Sequence, residues 1–167
     1  MAKLAIEVTH SLRFLNAFLH SINDLYIDTV EVLQKMDDLN SEDKNYGRDL
    51  RDMSVRCKEK ISHIIDDYTH DYQLFNEDMT DIIPKRNTDE VIYILDKYRS
   101  VAKSYEKLGK NINNTIIRYE NKKNKYINDK DFIRVISYNK ILNGINQIYS
   151  MCEHIIGKLN KLINEED

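Results

Sequence analysis

The sequence predicts an all-α protein: a single long antiparallel four-helix bundle that runs up, down, up and down, with coiled-coil-like packing. Four stretches carry apolar residues at a spacing of three and four, the pattern of a helix with one buried face. The breaks between these stretches are short, so we expect consecutive helices to be antiparallel neighbours. With 167 residues, 41% apolar and 32% charged, the chain has the size and composition of one domain, spanning 1–167.

We expect helices at approximately 3–39, 42–83, 89–127 and 131–164. Asn40, Ser41 and Asp43 supply capping residues for the start of the second helix. Pro84, the only proline, opens the break before the third helix. Residues 128–131 turn the chain into the fourth helix. That helix has the most regular apolar seam: Val135, Tyr138, Leu142, Ile145, Tyr149, Cys152, Ile156, Leu159 and Ile163.

The apolar stripes are wider than a coiled-coil seam with two apolar positions per heptad requires. The additional positions are Ile141, Ile148, Ile155 and Leu162 in the fourth helix and Phe18 and Leu25 in the first. These side chains serve packing within one bundle or pairing of two copies, so a homo-oligomer remains an open alternative.

Tyrosines and two cysteines also lie on the predicted seams. The tyrosines include Tyr26, Tyr98, Tyr105, Tyr138 and Tyr149. Each buried hydroxyl needs a hydrogen-bond partner, and several hydroxyls in one layer would line a polar cavity, which the sequence leaves open. Cys57 and Cys152 are far apart, so we expect two reduced core thiols. The N-terminus enters helical periodicity directly, without the pattern of a signal peptide, and we expect a cytoplasmic protein.

Charge is distributed unevenly along the chain. Residues 1–83 contain nine basic and seventeen acidic side chains, and residues 84–167 contain sixteen and eleven. In the predicted topology the acidic residues Asp37, Asp38, Glu42 and Asp43 lie at the same end as several lysines of the third helix. The simplest interpretation is that these charges neutralise one another within the bundle.

The same charges support two binding hypotheses. A basic end of the third and fourth helices would bind nucleic acid or an anionic membrane. Its residues are Lys110, Arg118, Lys122, Lys123, Lys125, Lys130 and Arg134. The acidic residues Asp66, Asp67 and Asp71 of the second helix would suit a basic protein partner.

Residues 9–17, Thr-His-Ser-Leu-Arg-Phe-Leu-Asn-Ala, lie on the first predicted helix. This stretch resembles the phospho-accepting box of histidine kinases and phosphotransfer domains, in which the histidine lies on the first helix of a four-helix bundle. The resemblance implies that His10 accepts a phosphoryl group and that Arg13 stabilises the added charge. A histidine phosphotransfer protein is therefore an alternative function.

Arg13 with His20 and Arg56 with His63 resemble the Arg-x4–6-His motif of RNase-type HEPN bundles only loosely, and no stronger catalytic pattern is present. There is no Gly-rich phosphate loop or nucleophile elbow, and we expect no cofactor. The only Glu-x-x-His pair, Glu7 with His10, faces outward, so we expect no metal site. The sequence thus favours a non-enzymatic adaptor or inhibitor that binds a macromolecular partner, foremost a protein, through charged helix faces. The abundance of Lys, Asn, Ile and Tyr, encoded by A/T-rich codons, would fit an accessory factor of a phage or mobile element.

Overall fold

The computed structural model describes residues 2–81 and 89–165, and the side chains of 12–70, 89, 92, 93 and 95–164. These residues form four α-helices: α1 (Ala2–Asp37), α2 (Tyr46–Asp81), α3 (Asp89–Asn128) and α4 (Phe132–Glu165). The predicted all-α four-helix bundle is confirmed, and the described part of the chain contains no β-strand. None of its helices is long and apolar enough to cross a membrane.

The second helix begins at Tyr46, later than the sequence predicted. The reason is local: the Asn40 side chain accepts a hydrogen bond from the Glu42 amide at 3.0 Å, which forms a turn instead of a helix cap. The first helical hydrogen bond of α2 runs from the Asp49 amide to the Asn45 carbonyl at 2.9 Å. Asn45 therefore occupies the cap position.

The turn between α3 and α4 closes in a Schellman motif. The Lys130 amide donates to the Ile127 carbonyl at 3.0 Å, and the Asp131 amide donates to the Tyr126 carbonyl at 2.9 Å. Lys130 has a φ of 60°, in the left-handed region where this motif usually carries glycine. Asp131 then caps α4, because its carboxylate accepts a hydrogen bond from the Arg134 amide at 3.3 Å.

The bundle consists of two hairpins, α1–α2 and α3–α4, which lie side by side with their turns at the same end. Helix α1 runs parallel to α3: the Tyr105 hydroxyl donates to the Leu15 carbonyl at 2.6 Å, and Tyr26 is hydrogen-bonded to Thr115 at 2.8 Å. Helices α2 and α4 also lie side by side and contact each other.

This arrangement corrects one expectation. Consecutive helices alternate in direction as predicted, but α2 and α3 lie across a diagonal, and their described residues make no Cα–Cα approach within 8 Å. The hydrogen bonds between α1 and α3 and the close packing of α2 on α4 set this order. Gly144 permits that packing, since a Cβ atom there would lie 2.8 Å from Cγ2 of Ile61. The connection at 82–88 lies outside the described residues.

The extra apolar positions belong to the interior of the bundle. Ile141, Ile148, Ile155, Phe18 and Leu25 are buried within this single chain, and Leu162 is partly buried. Packing within one chain accounts for these positions, so they no longer argue for a homo-oligomer, which stays a prediction. The two cysteines are separate, buried thiols.

Candidate functional site

Polar side chains converge at the end of the bundle where both hairpin turns lie. Asp37, the last residue of α1, accepts hydrogen bonds from Tyr126 at 2.8 Å, from Tyr138 and from Lys122. Burial alone would raise the pKa of this carboxyl, but the three donors outweigh it and hold the pKa below its usual value. Asp37 is therefore an ionised acceptor that joins α1 to both α3 and α4.

Arg134 is the second centre of this cluster and is only 6% exposed. Its Nε donates to the Tyr46 hydroxyl at 2.8 Å and lies 3.3 Å from Oδ2 of Asp131. Its Nη2 donates to the Leu39 carbonyl at 2.6 Å. The guanidinium carbon also lies 4.6 Å from the ring centre of Tyr126. Arg134 thus fastens the α1–α2 turn to the start of α4.

These residues will be called the turn network: Asp37, Tyr46, Lys122, Tyr126, Asp131, Arg134 and Tyr138. Burial and the hydrogen bond to Asp131 raise the pKa of Tyr46 to about 12. Burial and the hydrogen bond to Asp37 also raise the pKa of Tyr138. Both hydroxyls therefore remain protonated donors at neutral pH. Tyrosine hydroxyls do converge in one layer here, where Asp37 and Arg134 are their hydrogen-bond partners.

Three of the predicted basic residues are engaged inside the protein. Of the charges expected to neutralise one another at this end, Lys122 and Asp37 do form an ion pair, whereas Asp38, Glu42 and Asp43 are exposed. Lys123 lies 2.6 Å from a carboxylate oxygen of Glu120 and donates to Asn139 at 2.9 Å. Placing Arg134 on a binding surface is wrong, because it lies on the buried side of α4, one turn before Tyr138.

The remaining basic residues do not form one continuous face. Lys110 and Arg118 lie on the exposed side of α3, and Lys125 and Lys130 are exposed at the turn end. Near the latter two, the turns carry four exposed acidic residues: Asp38, Glu42, Asp43 and Asp129. Charges of both signs therefore share this end, and binding of nucleic acid or an anionic membrane through it stays a prediction.

The predicted acidic stretch is also divided. Asp66 lines a groove of about 370 Å³ together with Lys58 of α2 and Lys140 of α4. Asp67 lines a different hollow, between α1 and α2, beside Phe14 and Phe18. The side chain of Asp71 lies outside the described residues.

The phosphotransfer hypothesis remains a prediction. The side chain of His10 lies outside the described residues, and Arg13 is exposed on α1. Among the side chains that are described, no three His, Cys, Asp or Glu residues gather into a group that could hold a metal ion.

An exposed apolar group lies at the start of α4 and was not predicted from the sequence. Phe132, Ile133 and Ile136 are 56%, 52% and 56% exposed, respectively. Phe132 and Ile133 line a groove of about 650 Å³ together with Asn40, Lys130 and four residues of the turn network: Tyr46, Tyr126, Asp131 and Arg134. We call Lys130, Phe132, Ile133 and Ile136 the turn-end surface. The sequence does contain a signal for this exposure, because Ile133 and Ile136 are out of phase with the apolar seam through Val135 and Tyr138.

Comparisons with protein-family models, with curated proteins and with solved structures found no match. Function is therefore inferred from the chemistry of this chain's own surfaces.

Proposed function

We propose that this chain is a non-enzymatic interaction protein that binds a protein partner through the turn-end surface. The observation that carries the proposal is the exposure of three large apolar side chains within five residues, Phe132, Ile133 and Ile136, each more than half exposed. Single exposed apolar residues are ordinary, whereas adjacent ones mark interaction sites. Positions three and four apart share one side of a helix, so Ile136 adjoins both of the others.

The backbone at Lys130 supports the same proposal. A left-handed conformation costs an ordinary residue about 1–2 kcal/mol compared with the right-handed one, and glycine avoids this cost. A lysine at this position places a positive charge beside the apolar side chains. An apolar centre with a charged rim is the usual construction of a protein interface.

The turn network gives this surface a fixed shape. Asp131 and Arg134 flank Phe132 and Ile133 at the start of α4, and both polar side chains are held by Tyr46. The exposed side chains therefore project from a backbone whose position is already fixed, which lowers the entropic cost of binding.

A matched pair of variants tests the proposal. We expect the double substitution Phe132→Ser with Ile136→Ser to abolish recovery of a stoichiometric partner by a tagged chain from its native source. The control, Ile92→Ser with Ile117→Ser, changes two comparably exposed residues of α3 and should retain the partner. Circular dichroism would verify that both variants stay helical. Equal recovery by wild type and by both variants would overturn the proposal.

We include the cytoplasm in this proposal because Cys57 and Cys152 are free, buried thiols, as in proteins of reducing compartments. We also include an adaptor or inhibitor role in a phage or mobile element, which the A/T-rich residue usage favours.

A further inference from the structure

A groove of about 270 Å³ runs between α1 and α2, away from the turn-end surface. Its floor is formed by Leu25, Val32, Met53 and Cys57. The polar groups of the floor are satisfied internally: the Cys57 thiol donates to Thr29 at 3.6 Å, and the Thr29 hydroxyl donates to the Leu25 carbonyl at 2.7 Å. The floor therefore presents an apolar surface to any occupant.

The rim of this groove is positive, although the whole chain has a net charge of −3. Its charged residues are Lys35, Arg56 and Lys60, with Asp28 as the only acid. All four side chains are exposed, and none of the three cations forms an ion pair with a described residue. Unlike the cations of the turn network, these three are available to an external carboxylate.

A second, smaller hollow of about 180 Å³ lies further along the same two helices. Phe14, Phe18, Ile64 and Tyr68 line it, and Asp67 is the charged residue on its edge. The hollows are centred about 10 to 12 residues apart along each helix, which corresponds to roughly 15–18 Å at 1.5 Å per residue. An occupying helix would cover that distance in about three turns.

We propose that the groove between α1 and α2 binds an amphipathic helix of a protein partner. Apolar side chains of that helix, about eleven residues apart, enter the two hollows, in the helix-in-groove mode of recognition. Acidic side chains at one end of it lie over Lys35, Arg56 and Lys60. The opposite end, over Asp67, carries neutral or basic side chains, so that charge sets the direction in which the helix binds.

Each hollow is suited to one or two side chains and is smaller than the usual 300–1,000 Å³ of a small-molecule site, which favours a peptide occupant. This site is separate from the turn-end surface, and the two hypotheses can fail independently.

The test is selection of random 18-residue peptides displayed on phage against the full chain, with counter-selection against the double variant Arg56→Glu with Lys60→Glu. We expect enriched peptides to carry apolar residues in a helical pattern with Asp or Glu concentrated at one end. Binding of these peptides, measured by fluorescence anisotropy, should weaken at least tenfold in that variant. It should change less than twofold in the control Arg48→Glu with Lys58→Glu, which alters exposed cations of α2 that do not line the groove.

The thiol in the floor gives an independent readout. A bound peptide should slow the reaction of Cys57 with a maleimide at least fivefold, with the more deeply buried Cys152 as the internal reference. Failure to enrich peptides, equal binding to both charge-reversal variants, or unprotected Cys57 would overturn the proposal. Peptides whose binding instead requires Phe132 and Ile136 would overturn it as well, while supporting the turn-end surface as a binding site.

Discussion

The turn network and the groove between α1 and α2 both contain clustered cations, but they use them differently. In the turn network, Lys122 and Arg134 are bonded to carboxylates, hydroxyls or backbone carbonyls of other elements. In the groove, Lys35, Arg56 and Lys60 surround an apolar floor without ion partners among the described residues. The difference indicates that charge in the first region stabilises the fold, whereas charge in the second is available for binding.

Among the carboxylates, the largest effect is expected from Asp37→Ala in the turn network. Removing this carboxylate leaves Lys122, Tyr126 and Tyr138 without their shared acceptor, so we expect a loss of about 2–3 kcal/mol in the free energy of unfolding. Asp28→Ala in the groove removes an exposed carboxylate and should change that free energy by less than about 0.5 kcal/mol. Urea denaturation of the two variants checks this prediction, and similar losses would contradict the distinction between the regions.

Acid should weaken the turn network through the same carboxylate. Because the folded-state pKa of Asp37 is lowered, its stabilisation is fully present above the unfolded value, near 3.8. It is lost as pH falls through the lower folded value. The free energy of unfolding should therefore decline below about pH 4, less steeply in Asp37→Asn than in wild type. Urea titrations at a series of pH values measure this decline. An equal decline in wild type and Asp37→Asn would show that Asp37 does not cause the loss of stability in acid.

Substitutions of two tyrosines distinguish the contribution of hydrogen bonding to stability from that of ring packing in the turn region. Tyr138→Phe removes a hydroxyl that donates to Asp37 and should cost about 1 kcal/mol. Tyr119→Phe removes a buried hydroxyl that has no hydrogen-bond partner among the described residues, so it should be neutral or slightly stabilising. Their rings lie edge to face, with centroids 5.9 Å apart, and both substitutions preserve that contact. Thermal unfolding compares them directly; a larger loss for Tyr119→Phe would contradict the hydrogen-bond assignment.

The smallest expected effect is a gain in the free energy of unfolding, not a loss. Lys130 belongs to the turn end but not to the turn network, and Lys130→Gly relieves a left-handed backbone, with an expected gain of about 0.5–1 kcal/mol in stability. The same substitution should weaken partner binding if the lysine belongs to the turn-end surface. Chemical denaturation and a binding assay on one preparation test both statements. A gain in stability with unchanged binding would remove Lys130 from the proposed interface.

Much of the fold follows from the sequence because helical periodicity is a local signal. The seam through Tyr138 predicts α4, and the opposite charges of Asp37 and Lys122 predict that they neutralise each other at one end. The later start of α2 was missed because Asn40 forms a side-chain turn where it was expected to help cap the helix. Both outcomes depend on residues close together in the sequence or at the same end of the bundle.

The spatial order of the helices was harder to predict because broad apolar stripes pack in several arrangements. The observed order depends on particular contacts between distant residues, such as Tyr105 with Leu15 and Gly144 with Ile61. The burial of Arg134 did have a sequence signal, since it lies four residues before Tyr138 on the same side of α4. No sequence signal indicates that Arg56 is unpaired, because pairing depends on which acidic side chains approach it in three dimensions.

The most direct measurement compares the free energies of unfolding of Arg134→Gln and Arg56→Gln in urea. Arg134→Gln leaves Asp131 and Tyr46 without their buried cation and should cost about 3 kcal/mol or prevent folding. Arg56→Gln removes an exposed, unpaired charge and should change the value by less than about 0.5 kcal/mol. Equal losses, or a larger loss for Arg56→Gln, would contradict the account that one region uses its charge for folding and the other reserves it for binding.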